Sequence, residues 1–205
     1  MSNVVKFRGV IIRETNVREA DKILTILTKE YGKLTVGAKG ARNTKSKYLV
    51  AQLFSYCDFV VYKGRGFYSL TQVDLIESFY TLRLDYERLE MAYEIVKKLD
   101  KWTIGEFLPA ENETLLLLLL KSLVNLCKQD VDYQLVYLVF GFKFLQIIGF
   151  SPENDDSELS ETARYALEYI LRSDIGKVFN FTLEEDMVHE LGGLYARLLP
   201  LLELM

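Results

Sequence analysis

From Lys33 to Lys39 the chain reads Lys-Leu-Thr-Val-Gly-Ala-Lys, alternating polar and apolar positions with period two. That pattern predicts a strand with one face in a core. The run before it, Lys22 to Lys29, is rich in Ile, Leu and Thr, and Glu30-Tyr31-Gly32 makes a short connection, so the pair forms a hairpin. Tyr56 to Tyr62 and Phe67 to Glu77 flank Lys63-Gly64-Arg65-Gly66, whose glycines suit a tight turn and predict a second hairpin. With Val5 to Arg13 in front, residues 1–80 hold about five strands. So few short strands bury little as a flat sheet, and closing them into a barrel removes the exposed edges. Ser46 to Phe54 is the helical candidate between the third and fourth strands, where a five-stranded OB barrel places one.

After residue 81 the period changes. Leu82, Tyr86, Leu89, Tyr93 and Val96 recur at three- and four-residue steps among charged positions, which predicts an amphipathic helix. Pro109 and Asn112 punctuate, and Glu113 to Lys128 and Asp132 to Ile148 predict two strongly apolar helices. Gly149, Pro152 and the acidic stretch through Asp156 read as a loop, followed by a helix from Ser160 to Arg172. Thr182-Leu183-Glu184-Glu185 has the form of a capping box that opens a last helix. The fold class is therefore α+β: an N-terminal five-stranded OB-fold barrel over 1–80 and an all-α helical domain over 81–205.

Charge divides the chain at the same place. Residues 1–80 carry 13 Lys/Arg and 7 Asp/Glu, net +6, whereas residues 81–205 carry 12 and 22, net −10. The overall charge of −4 hides a basic half suited to a polyanion. Cys57 and Cys127 are 70 positions apart among apolar neighbours and read as buried free thiols, which points to a reducing, cytoplasmic compartment. The opening MSNVVKFRGVIIRE has no apolar stretch of a secretory signal, and Leu115 to Leu120 is too short to span a bilayer.

Catalytic ingredients are sparse. His189 stands among Glu185, Asp186 and Glu190 on a predicted helix, where an exposed surface position is expected. Two separate cysteines make no four-ligand zinc site, and Gly37-Ala38-Lys39-Gly40 lacks the spacing of a phosphate loop. Neither an enzyme nor a cofactor is expected.

The basic residues are concentrated. Lys39, Arg42, Lys45 and Lys47 crowd a stretch without an acid, Lys33 shares the polar face of its strand, Lys6, Arg8 and Arg13 line the first strand, and Lys63 and Arg65 cap the second hairpin. Several point charges along a groove are what a phosphate backbone needs, because each neutralised phosphate releases counterions. Tyr31, Phe67 and Tyr68 lie beside these charges, where aromatic rings stack bases. A small barrel also needs large side chains inside, which favours a core position for Phe67. The same cations suit a non-enzymatic adaptor whose barrel binds an acidic protein tail, so charge alone leaves both partners open.

The segment GVIIRETNVREADKILTILTKEYGKLTVGAKGARNTKSK (residues 9–47), with its Glu19-x-Asp21 pair, resembles the RecO family of bacterial recombination mediators. The likeness continues through Tyr62-Lys63-Gly64-Arg65-Gly66, Tyr68-Ser69-Leu70 and Leu75-Ile76-Glu77-Ser78-Phe79, and loosens beyond residue 100. The resemblance implies an OB fold that binds single- and double-stranded DNA, and DNA-contacting roles for Lys39, Arg42, Lys45 and Lys47. It also implies annealing of complementary strands and, with RecR, loading of RecA onto DNA coated by single-strand binding protein. The acidic helical half would carry the partner contacts, and no membrane is involved. Many members have a four-cysteine zinc module after the helix that ends in Gly-Phe or Gly-Tyr. Here Gly149-Phe150 runs directly into Ser151 to Ser160 without a cysteine, so zinc is not expected.

Overall fold

A computed structural model describes residues 3–103, 109–152 and 158–202. Five strands, β1 (Val4–Val17), β2 (Asp21–Thr28), β3 (Gly32–Ala38), β4 (Tyr56–Lys63) and β5 (Tyr68–Glu77), close into a barrel in the order β1-β2-β3-β5-β4. All neighbours are antiparallel except β3 and β5, which run parallel through Val36 opposite Tyr68 and Gly37 opposite Ser69. This is the OB fold. The 14-residue β1 makes closure possible, since its first half pairs with β4 and its second with β2. Phe7, Ile11, Leu24, Ile26, Val36, Phe59, Val61, Leu70 and Val73 alternate inward and fill the interior.

The predicted helix at Ser46 to Phe54 does not form. Those residues make successive turns, and Phe54 has a φ of +72°, which no α-helix accommodates. A segment this short repays helix nucleation poorly, and the barrel offers it more. Ala41, Tyr48 and Ala51 drop into the core, and the Tyr48 hydroxyl donates to the Leu70 carbonyl at 2.9 Å. The 17-residue connection from β3 to β4 thus closes one end of the barrel.

A 3₁₀ turn (Tyr80–Leu84) leads into α1 (Tyr86–Trp102), α2 (Pro109–Leu126), α3 (Tyr133–Ile147), α4 (Glu161–Arg172) and α5 (Glu185–Leu202). The acidic stretch read as a loop through Asp156 lies, from residue 153 onward, outside the described residues. Helix α2 starts at Pro109, four residues before the expected Glu113, as proline suits the first helical position. Asp132 and Ser160 cap α3 and α4 through their side chains. Helix α5 begins at Glu185 itself, so Glu185 is not the third helical residue that a Thr182 capping box requires.

The chain separates into two compact units, Met1–Thr81 with Val96–Leu116, and Leu82–Ile95 with Leu117–Met205. The barrel unit therefore includes the end of α1 and the beginning of α2. Its helical part reaches β2 and β3: Lys33 Nζ donates to the Asp100 carbonyl at 2.6 Å, and Lys29 pairs with Glu113 at 2.6 Å. Thr25 and Leu27, on the outer face of β2, are only 2% and 0% exposed. Part of the barrel's outside is consequently a second packed layer.

In the helical unit α3 is buried from Leu135 to Leu145 except at Tyr137, which is half-buried. Of the stripe expected at the start of the helices, Leu82 and Val96 are buried, but Tyr86 and Tyr93 are 72% and 54% exposed, and Arg88, Ala92 and Ile95 are buried instead. Arg88 is the charged residue among these buried positions. Its guanidinium pairs with Asp85 and donates to the carbonyls of Leu126, Lys128, Gln129 and Val131 at 2.6–3.2 Å. One side chain thereby satisfies the carbonyl of the last residue of α2 and three in the connection to α3.

Replacing Arg88 by Ala should destabilise the protein by at least about 3 kcal/mol, measured by urea denaturation, because buried carbonyls lose their donor. Cys57 is a buried free thiol, whereas Cys127 is half-buried rather than enclosed. Burial pushes the Cys57 thiol from 9.0 up to about 12. Above pH 9 the unfolded thiol loses its proton while the folded one keeps it. Stability should therefore fall from pH 9 towards 12, and Cys57→Ala should flatten that part of the curve.

Candidate nucleic-acid interface

The basic loop is tied at its base by an acid outside it. The Asp21 carboxylate, at the start of β2, accepts from the Gly40 amide at 2.8 Å. Gly40 takes a φ of +70°, which turns the chain away from β3 at low steric cost. The Arg42 amide then donates to the Ala20 carbonyl at 2.9 Å, and its guanidinium reaches the carbonyls of Glu19 at 3.2 Å and Arg18 at 3.4 Å. The β1–β2 turn and the basic loop form one structure. Asp21 and the segment Gly40-Ala41-Arg42 are thereby joined although they are far apart in sequence.

Partner type separates the cations. Lys47 Nζ donates to the Thr71 carbonyl at 2.9 Å and lies 5.1 Å from the centre of the Tyr48 ring. Like Arg42, it is held by neutral carbonyls, which fix its position without cancelling its charge. Lys39 and Lys45 are exposed and have no hydrogen-bond or ion-pair partner among the described residues. All four loop cations thus keep their charge for a ligand.

Other expected site residues are already compensated. Arg13 pairs with Asp100 at 3.2 Å, and Lys33 bonds to both the carbonyl and the carboxylate of Asp100. Arg8 is bidentate to Asp58 at 2.9 and 3.2 Å, a pairing that raises its pKa. Lys6 is exposed on the same face, in a groove whose walls carry Glu30, Asp58 and Asp74 as well as Lys29. That groove has mixed charge.

Lys63, Arg65 and Tyr68 form a third group at the β4–β5 turn. Lys63 Nζ sits 5.9 Å from the centre of the half-buried Tyr68 ring, and Arg65 is exposed. Because Tyr68 pairs with Val36 and the strands are parallel, this turn lies towards the start of β3 and the basic loop beyond its end. Phe67 departs from the expected core position: it is 61% exposed at the turn. Tyr31 is also exposed and meets Phe7 edge-on, with ring centres 6.1 Å apart. Arg18 was not among the sequence candidates. It is exposed in the β1–β2 turn with a φ of +52°, and its place before the Glu19-x-Asp21 pair was the available signal.

His189 is exposed on α5, and among the described residues no three His, Cys, Asp or Glu side chains converge as metal ligands.

Fold and surface together define an OB-barrel protein with an anchored loop of uncompensated positive charge, followed in the chain by a set of helices. Comparison with known proteins gives the family. Residues 1–79 match the family described as Recombination protein O N terminal. The DNA repair protein RecO of Acetivibrio thermocellus is 36% identical over 225 aligned residues, covering 93% of this chain and 88% of that protein. Those of Alkaliphilus metalliredigens and Bacillus pumilus are each 35% identical, over 73% and 74% of this chain but only 60% and 58% of their own lengths. The chain belongs to the RecO family.

Asp21→Ala should release the loop. Hydrogen exchange at the Gly40 amide should quicken about tenfold or more, as expected for one charge-assisted hydrogen bond, while amides in β4 stay protected.

Proposed function

We propose that this chain is a DNA-binding recombination mediator in DNA repair, acting on DNA without making or breaking bonds. The observation that carries it is the set Lys39, Arg42, Lys45 and Lys47, in one anchored loop and none of them ion-paired with an acid among the described residues. A phosphate backbone laid across the loop displaces its counterions and gains affinity without reading sequence. Membership of a family whose relatives are named DNA repair proteins supports this reading.

The finer activities follow the same logic. A surface that grips phosphates without enclosing a duplex takes single and double strands alike, which suits the annealing of complementary strands. With net −10 over residues 81–205, the helical half repels DNA and is left for protein partners. We assign it contacts with RecR and with single-strand binding protein, through which RecA is loaded onto coated DNA.

Affinity for a single-stranded oligonucleotide, measured against salt, tests the loop. Changing all four cations to Glu should reduce the slope of log K against log salt by about 3, from roughly 0.7 per phosphate contact. Arg13→Ala should hardly move it, since Asp100 already balances that charge. An unchanged slope in the fourfold variant would overturn the loop assignment, and tight binding of an acidic peptide with no binding of DNA would favour an adaptor.

A further inference from the structure

The β4–β5 turn gives up the burial of a phenylalanine. Phe67 is 61% exposed, and among the described residues no aromatic ring stacks on it. A single exposed apolar residue is ordinary on a protein surface. This one differs in how it is held and in what surrounds it.

The ring lies over Gly64, where a Cβ would come within 2.8 Å of the Phe67 Cζ atom. The Gly64 amide donates to the Phe67 carbonyl at 2.9 Å and closes the turn beneath the ring. Only glycine at position 64 leaves room for this seating, so one face of the ring is backed by protein. Arg65 is exposed beside it with no ion-pair or hydrogen-bond partner among the described residues. Lys63 rests over Tyr68, and no acid occurs in the sequence between Asp58 and Asp74. The turn therefore presents an exposed aromatic ring, backed on one side by Gly64, in a stretch with two cations and no acid.

We infer that Phe67 is a stacking platform for an unpaired nucleobase, with Arg65 and Lys63 taking the adjoining phosphates. The inference rests on the proposed DNA-binding reading and adds a preference for single strands that the basic loop alone does not supply. An aromatic face accepts any base, but only one whose own face is free, so duplex DNA offers it little. The position suits a strand that also reaches the loop. Tyr68, next to Phe67, stands opposite Val36, three positions before Lys39, or about 10 Å along the strand. Outward residues between them are small: Gly37, Ser69 and Thr71.

The test compares wild type, Phe67→Ala and Phe67→Trp on an oligo-dT strand and on an abasic strand of the same length, each against salt. Thermal melting confirms that the variants fold. Phe67→Ala should weaken oligo-dT binding roughly 5- to 150-fold, the range for losing one base–aromatic stack, with the salt slope unchanged because no charge is removed. Phe67→Trp should retain binding, and on the abasic strand wild type and Phe67→Ala should bind alike. Equal oligo-dT affinity of wild type and Phe67→Ala would overturn the inference while leaving the loop assignment intact. So would an equal loss on both strands. A wild type that binds neither strand would instead remove the DNA-binding reading itself.

Discussion

The hydrogen bond from the Gly40 amide to the Asp21 carboxylate is the contact on which the candidate interface depends. A nine-residue run with four like charges repels itself and, untethered, would sample many conformations. Asp21 holds the first turn of that run against the β1–β2 connection, and Arg42 completes the clasp by donating to carbonyls on the same connection. The clasp costs one negative charge beneath the loop. In return the loop backbone and the Arg42 side chain are ordered before a ligand arrives, which reduces the entropy lost on binding.

What neutralises a cation matters as much as where it lies. Arg8, Arg13 and Lys33 look equivalent to the loop cations in sequence, yet Asp58 and Asp100 oppose them. An arginine donating to carbonyls keeps its full charge; one paired with a carboxylate presents nearly none at a distance. Asp100 belongs to the end of α1, which packs within the barrel unit, so the helical segment that stabilises the outside of β2 and β3 also withdraws their positive charge from solvent. Removing the charge there leaves the loop and the β4–β5 turn as the uncompensated sites.

In the helical unit the corresponding device is Arg88, a cation spent wholly on structure. Arg88 is buried where Tyr86 and Tyr93 face outward, opposite to what hydrophobicity alone directs. The carbonyls of Leu126 and of the connection to α3 need a donor, and an unsatisfied buried carbonyl costs more than an exposed ring edge.

Much of this protein is written in local pattern. Period-two alternation marked the third strand, β-prone runs and turn residues marked the others to within a few residues, the change of period marked the helices, and the charge asymmetry pointed to the basic half. These features are legible because they depend on neighbouring residues and on turn chemistry. Tertiary structure decided the rest. It withheld the helix at Ser46 to Phe54, because the barrel's open end takes Tyr48 and Ala51 in a form no helix provides. It set Phe67 outside the core, because the turn places it beyond the last ladder pair, Lys63 with Tyr68. It also chose which cations remain free, since Asp100 is 67 positions from Lys33 and 87 from Arg13 in sequence. Charge compensation over such separations is a property of the fold, and no reading of adjacent residues contains it.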